Sequence, residues 1–340
     1  LHRRRALKTL ALAAAGLGLG ATPRPPKEAP VSVQTVTGPV PPEDLGIVLT
    51  HEHVMVDFIG ADKVSRDRYD PDEVFRTALP HLKQVRDLGC RTLVECTPMF
   101  LGRDPALLRR LSEASGLLLI TNTGMYKAPY LPSHALDQSA GDLAASWIAE
   151  AQDGIEGAGI RPGLIKIAVN PDAELVPIQK KIVRAAALTH LRTGLSIAAH
   201  TGPGPGLEVL DVLKAEGVAP GAYIWVHAQS NPDQSKCLEA ARRGAWLSYD
   251  GFPPTRGDNP PKIEGHLRAA LDQGLANRLL ISHDAGWYHV GEPGGGTYRP
   301  YDAIFTHFLP ALKKDYPGIE KTLLVDNPRR ALTPEVKKSS

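Results

Sequence analysis

Cysteine is scarce in this chain. Cys90, Cys96 and Cys237 are the only three, an odd number with no Cys-x-x-Cys pair among them. A disulfide framework and a cysteine-rich zinc site are therefore not expected, and Cys90 and Cys96 read as buried free thiols. Charge of one sign is lacking too. With 39 Lys and Arg against 37 Asp and Glu the formal net charge is +2, and no basic stripe interleaves with aromatics. A nucleic-acid partner is not expected on that composition. No Gly-x-Ser-x-Gly elbow offers a serine nucleophile, and no fixed-period repeat suggests a solenoid. The one long apolar stretch, Thr9 to Ala21, is shorter than the roughly 20 residues of a spanning helix, so no stable membrane span is expected in the mature protein.

What is present suits a large soluble domain. A chain of 340 residues, 42% hydrophobic and 22% charged, can build one α/β barrel or two medium domains. Its N-terminus runs Arg3-Arg4-Arg5-Ala6-Leu7-Lys8, then the apolar stretch, then a Pro-rich segment from Pro23 to Pro30. A basic n-region before a short apolar h-region reads as a bacterial export signal, and the Arg pair resembles the twin-arginine type that exports folded proteins. Residues 1–30 are thus expected to be signal and linker, and the product periplasmic or secreted. An uncleaved anchor is the alternative.

Beyond residue 30, short apolar runs alternate with helical patterns. The runs are Gly46–His51, Thr92–Thr97, Leu117–Thr123, Gly163–Ala168, Leu195–His200, Tyr223–His227, Ala245–Asp250 and Leu279–Asp284. Near-continuous apolar runs of this length suit parallel strands buried on both faces. Helices are predicted over Pro71 to Leu88, with Asp70 as N-cap and Gly89 as terminator, over Pro177 to Arg192, and over Leu207 to Glu216. Eight strands separated by helices predict a (β/α)8 TIM barrel. The rival doubly wound sheet would want a Gly-rich loop after its first strand, where this chain has His-Glu-His.

The strand ends carry the chemistry. His51 and His53 close the first run, Lys166 lies in the fourth, His200 and His227 end the fifth and sixth, and Asp284 ends the eighth. Residues i and i+2 of a strand share a face, so His51 and His53 can converge in the barrel mouth. Four imidazoles and a carboxylate at one end of a barrel are metal ligands by type. A lone histidine there is more often a packed residue; the whole set is not. Lys166 sits in Leu-Ile-Lys-Ile-Ala, and burial favours the neutral, nucleophilic amine. Such an amine can capture carbon dioxide as a carbamate, an anionic ligand able to bridge two metals. A Schiff-base lysine and a salt-bridged core lysine are the alternatives. His283 should turn away from the metals, and Glu52 should point to the outer layer, pairing with an Arg. The other histidines, His81, His134, His190, His266 and His307, read as surface or packing residues.

These residues, with Thr35-Val36-Thr37-Gly38-Pro39, Gly102-Arg103-Asp104, Thr123-Gly124-Met125-Tyr126, Ile281-Ser282-His283-Asp284 and Asn327-Pro328-Arg329-Arg330, make the chain resemble the phosphotriesterase-like branch of the amidohydrolase superfamily along nearly all of residues 31–332. The resemblance implies a binuclear metal centre at the C-terminal face of the strands. His51, His53 and Asp284 would hold the buried metal, and His200 and His227 the second. Lys166, as N6-carboxylysine formed with carbon dioxide, and a hydroxide would bridge the two. Zn2+ is the expected metal, with Co2+, Mn2+ or Fe2+ as alternatives. Asp284 would accept a proton in catalysis, and Tyr126 resembles the tyrosine that lactonase members place beside the metals. The implied substrate is a small lactone or carboxylic ester, with promiscuous phosphotriester hydrolysis. An amide hydrolase with the same centre, or a catalytically silent metal-binding barrel, are the alternatives. Family members are often homodimers.

Some positions depart from the family pattern. Asp250 is followed by Gly251-Phe252-Pro253 where lactonases tend to have Arg. In Val226-His227-Ala228-Gln229-Ser230 the usual outer carboxylate is missing or shifted to Asp233. Trp287, Tyr288 and His289 either wall the leaving-group pocket or pack under Gly294-Gly295-Gly296. Phe252 and Arg256 are further substrate-binding candidates.

Overall fold

The computed structural model describes residues 31–252 and 260–339, so the expected export signal and Arg256 lie outside the described residues. After a short antiparallel pair, Val33–Thr35 with Gly38–Val40, the barrel begins. Its strands are β1 (Val48–Glu52), β2 (Thr92–Glu95), β3 in two pieces (Leu118–Ile120 and Asn122–Thr123), β4 (Leu164–Ala168), β5 (Ile197–His200), β6 (Tyr223–Val226), β7 (Trp246–Tyr249) and β8 (Leu279–Ile281). All eight predicted strands form.

Every neighbouring pair is parallel. The first piece of β3 pairs with β2 and the second with β4, so β3 joins a three-stranded and a six-stranded sheet. The eighth strand meets the first through the loop beyond it: Asp284 N–H donates to His51 O at 3.1 Å and His53 N–H to Ala285 O at 2.9 Å. The closed curve is a (β/α)8 barrel.

Around it run α1 (Pro71–Asp87), α2 (Pro105–Ser115), α3 (Ala140–Asp153), α4 (Pro177–Thr193), α5 (Gly206–Ala215), α6 (Gln234–Arg242), α7 (Pro260–Asp272), α8 (Leu309–Asp315) and α9 (Asn327–Leu332). Their starts are capped as the sequence suggests. Asp70 accepts from Asp72 N–H, and Asp104 from the N–H groups of Ala106 and Leu107. Each cap satisfies donors the helix cannot, which stabilises it by about 1 kcal/mol. Gly194 ends α4 in the left-handed conformation a Cβ would disfavour.

Two apolar layers result. One fills the space between strands and helices. The other lies inside the barrel at its N-terminal end, where Val48, Val94, Ile120, Leu164, Ala198, Ile224, Trp246 and Leu280 pack beneath Leu45 and Leu332. That plug closes one end, so polar side chains can converge only at the other.

One irregularity sets which side chains those are. In β1 the register against β2 advances from Leu49↔Leu93 to Glu52↔Glu95, three residues opposite two. Val48 faces the barrel interior, and simple alternation would turn Thr50 and Glu52 inward. The extra residue of this bulge reverses the alternation and brings His51 and His53 inside.

Candidate metal centre

His51 lies in β1 and His53 one residue beyond it, Lys166 is the middle of β4, and His200 closes β5. His227 follows β6, and Asp284 lies three residues past β8. Both hold positive φ, 61° and 54°. Such backbone is unfavourable for residues other than glycine, and it turns both side chains back over the barrel axis.

Asp250, just after β7, organises two of the imidazoles. His51 Nδ1–H donates to its Oδ2 at 2.9 Å, and His227 Nδ1–H to its Oδ1 at 2.6 Å. Ser248 Oγ–H, Gln229 Nε2–H and the His227 backbone N–H complete its shell. Burial opposes charge on this carboxyl, but the two imidazoles hold its pKa well below the ordinary 3.8. With both Nδ1 atoms protonated, each Nε2 presents a lone pair to the barrel mouth.

His53 is fixed by the same logic. Thr97 Oγ1 donates to Met55 O at 2.9 Å, so it accepts from His53 Nδ1–H at 2.8 Å and leaves Nε2 unprotonated. Asp284 Oδ1 lies 3.1 Å from that Nε2 and 3.7 Å from His51 Nε2, a buried oxygen without a hydrogen-bond donor among the described residues. Lys166 is 1% exposed, and its Nζ lies 3.3 Å from His51 Nε2. His200 Nδ1 lies 2.8 Å from His227 Nε2, sharing a proton that a cation would replace.

These donors fit a metal. His51, His53 and Asp284 place one ligand atom each within 4.8 Å of one another. Burial, then Lys166, lowers His51 from 6.5 to about 3, and burial with His227 takes His200 well below its usual value. Neutral imidazole is the ligating form, and nitrogen with carboxylate oxygen suits zinc and its neighbours. His51, His227 and Asp250 are equally close, but Asp250 faces the Nδ1 side and its oxygens are taken by hydrogen bonds. It orients ligands.

An aromatic wall surrounds the mouth. Trp287 meets the His53 ring at 5.0 Å and stacks on Phe58 at 5.6 Å. Tyr126 packs edge-on to His200 at 5.2 Å with its hydroxyl 3.3 Å from Nδ1. Lys127 Nζ lies 3.0 Å from His200 Nε2. Phe58, Thr97 and Lys127 belong to this centre and were not singled out from sequence. Lys127 alone had a signal, its place beside Tyr126.

Several expectations need correction. Of the two places expected for Tyr288, the structure shows the second: it packs against Gly295, with its hydroxyl engaging Glu73, and does not wall the pocket. Phe252 is 4% exposed and stacks on Phe308 at 4.3 Å, part of the outer core rather than a pocket wall. Glu52 does point outward, but its partners are Ser282 Oγ–H, His283 Nδ1–H and the backbone N–H of His283 and Ala285 rather than an Arg. His283 is thereby turned from the centre. Asp233 caps α6 instead of serving His227, and Asp250 does that work. His81, His134, His190 and His307 stay outside the centre: His81 stacks on Tyr298, His134 meets Phe100, His190 bonds Leu195 O and His307 bonds Thr306.

A barrel with imidazoles, a carboxylate and a buried lysine at the C-terminal ends of its strands defines the metal-dependent barrel hydrolases. The family model of the Phosphotriesterase family matches residues 31–332, and the chain belongs to that family of binuclear metal-dependent hydrolases. It is 27% identical over 270 residues to the phosphotriesterase homology protein of Escherichia coli (strain K12), covering 79% of this chain and 91% of the relative. It is 28% identical over 306 residues to the aryldialkylphosphatase of Saccharolobus solfataricus, covering 85% and 95%. It is 26% identical over 343 residues to the N-acetyltaurine hydrolase of Rattus norvegicus, covering 88% and 97%.

Proposed function

We propose that the protein hydrolyses small lactones or carboxylic esters at a binuclear centre, with weaker turnover of phosphotriesters. The observation that carries this reading is the convergence of His51, His53, His227 and Asp284 with tautomers already set for ligation. His51, His53 and Asp284 would hold one cation and His200 with His227 the other, Zn2+ being the metal the donor set suits. Bound there, two cations supply Lewis acidity and lower the pKa of a water.

The chain's own groups do the rest. The Lys166 amine would add to carbon dioxide, forming an N–C bond and releasing one proton, to give an anionic carbamate beside His51 Nε2 that would be a further ligand for the cations. Asp284 Oδ1 holds the proton released as water is consumed. The Tyr126 hydroxyl, level with His200, donates a hydrogen bond to the substrate's acyl or ring oxygen. Trp287 and Phe58 exclude water from the leaving-group side.

An amide substrate is the second reading, favoured by the similarity to N-acetyltaurine hydrolases. Either substrate would be met after export, if residues 1–30 act as a signal; fractionation of the producing cell checks that part. The functional test is turnover of lactones, aryl esters, N-acyl amides and phosphotriesters after loading with zinc, cobalt or manganese. Preference for lactones or esters supports the first reading, and preference for amides replaces it with the second. A fully loaded protein inert on all four classes overturns both.

A further inference from the structure

At the opposite, N-terminal end of the barrel, the strand starts and the chain after α9 enclose a cleft of about 760 Å³. Trp246 forms part of its wall, and the guanidinium carbons of Arg278 and Arg330 lie 5.1 and 5.3 Å from the indole centre. Arg329, Lys337 and Lys338 bring the lining to five cations. Glu43 and Glu335 are its only acids among the described residues, so the lining carries more positive charge than the whole protein does in net.

Two of these cations have side chains without a hydrogen-bond partner among the described residues. The Arg278 guanidinium rests on Trp246 and makes no hydrogen bond or ion pair to any described residue, although it carries five donors. Lys337 Nζ is buried, also without a hydrogen-bond partner among the described residues. Its backbone cannot easily relieve this. Lys337 N–H donates to His190 Nε2 at 3.0 Å, and its carbonyl accepts from Ala219 N–H at 2.9 Å. Burial lowers the pKa of both groups; Arg330 repels Arg278, while Lys337 feels an attraction from Glu335 that exceeds its repulsion by Arg278. Burying unpaired charge is costly, and clustering like charge adds to that cost. A multivalent oxyanion would relieve both at once.

We propose that this cleft is a second ligand site, separate from the metal centre, that takes the phosphate group of a small phosphorylated molecule. Guanidinium forks match phosphate oxygens in pairs, and an ammonium adds a point charge. A dianion answers an excess of three cations better than one carboxylate does. The volume leaves room for the rest of the molecule along Pro42 and Val336.

Calorimetric titration of inorganic phosphate and the non-hydrolysable methylphosphonate into the full-length, metal-loaded protein tests this. Phosphate can also meet the metals, so His227→Asn serves as the control for that route. The expected result is a binding event that survives His227→Asn and weakens with added NaCl. It should fall about tenfold in Lys337→Met and Arg278→Gln, as for loss of one charge-assisted bond, and return in Lys337→Arg. Melting curves identify any variant that fails to fold, and Arg278→Gln with Lys337→Arg then decides alone. No event in the wild type, an isotherm unchanged by Arg278→Gln, or an event abolished by His227→Asn would each overturn the proposal. Because the readout is binding and not turnover, its failure leaves the hydrolase reading untouched.

Discussion

Single residues set the state of the centre, and Asp250 shows how. One carboxylate accepts the Nδ1 protons of both His51 and His227, so it determines which nitrogen of each ring faces the mouth. Asp250→Asn keeps the shape but offers one acceptor oxygen where two imidazoles need one each. Metal affinity should drop by about 10–100-fold, read by competition with a chelator. Lys166 has the opposite role, since it would itself become a ligand. Lys166→Ala should lose the bridging metal and the activity, with partial rescue by a short carboxylic acid plus metal; an unchanged metal content by mass spectrometry would refute the bridge. Tyr126→Phe removes only a hydroxyl. It should lower kcat about tenfold or more while metal content stays at the wild-type level, a contrast that separates substrate orientation from ligation.

At the scale of elements, the bulge in β1 and the loop after β8 position the ligands together. The bulge turns His51 and His53 inward, and the loop docks on them through the bonds from Asp284 N–H and His53 N–H. Gly286, at φ +90°, sits where a Cβ would collide with His53 O and the Tyr301 hydroxyl. Gly286→Ala should therefore cost about 2–4 kcal/mol of stability and displace Trp287 and His53, seen as a lower Tm and reduced metal retention. At Gly124, φ +113°, a Cβ would likewise collide with the Lys166 carbonyl oxygen, so β3 can approach β4 only with glycine there. That close approach brings the loop with Tyr126 to the lysine.

For the whole molecule, burying neutral imidazoles makes the metal-free protein sensitive to acid. His51 titrates at about 3 when folded and at 6.5 when unfolded, and His200 shifts the same way. Below pH 6.5 the unfolded chain binds the extra protons, so stability is full above 6.5 and declines as the pH falls towards 3. The His51 imidazole costs about 2 kcal/mol at pH 5, and His200 adds a loss of the same sign. Glu95 works the other way. Burial raises it from 4.5 to about 7, so the folded state binds its proton and gains stability as pH falls from 7 to 4.5. The losses from His51 and His200 together should outweigh the Glu95 gain, so thermal melts after chelation should show lower stability at pH 5 than at pH 8. Glu95→Gln removes the opposing contribution and should steepen the decline. A protein equally stable at pH 5 and pH 8 would contradict the neutral burial of these rings. Below 3.8 the depressed Asp250 adds a further loss as it protonates.

Local pattern alone determined a good deal of this protein. Apolar runs of strand length, proline and aspartate at helix starts and glycine at helix ends specify eight strands and the helices between them, because each signal acts on its own segment. The ligand types at the strand ends were legible for the same reason: charged or polar groups closing apolar runs are costly without a purpose. Partnerships between distant segments were not. That Glu52 pairs with His283, that Asp250 rather than Asp233 serves His227, and that Thr97 orients His53 depend on which strands become neighbours when the barrel closes. Nor does alternation by itself place His51 inside, since Val48 and His51 share a side only through a one-residue bulge against β2. Tyr288 and Phe252 sit near the centre in sequence but outside it in space, because pleat and loop direction decide which face a side chain reaches. Sequence chose the chemistry; closure of the barrel chose its geometry.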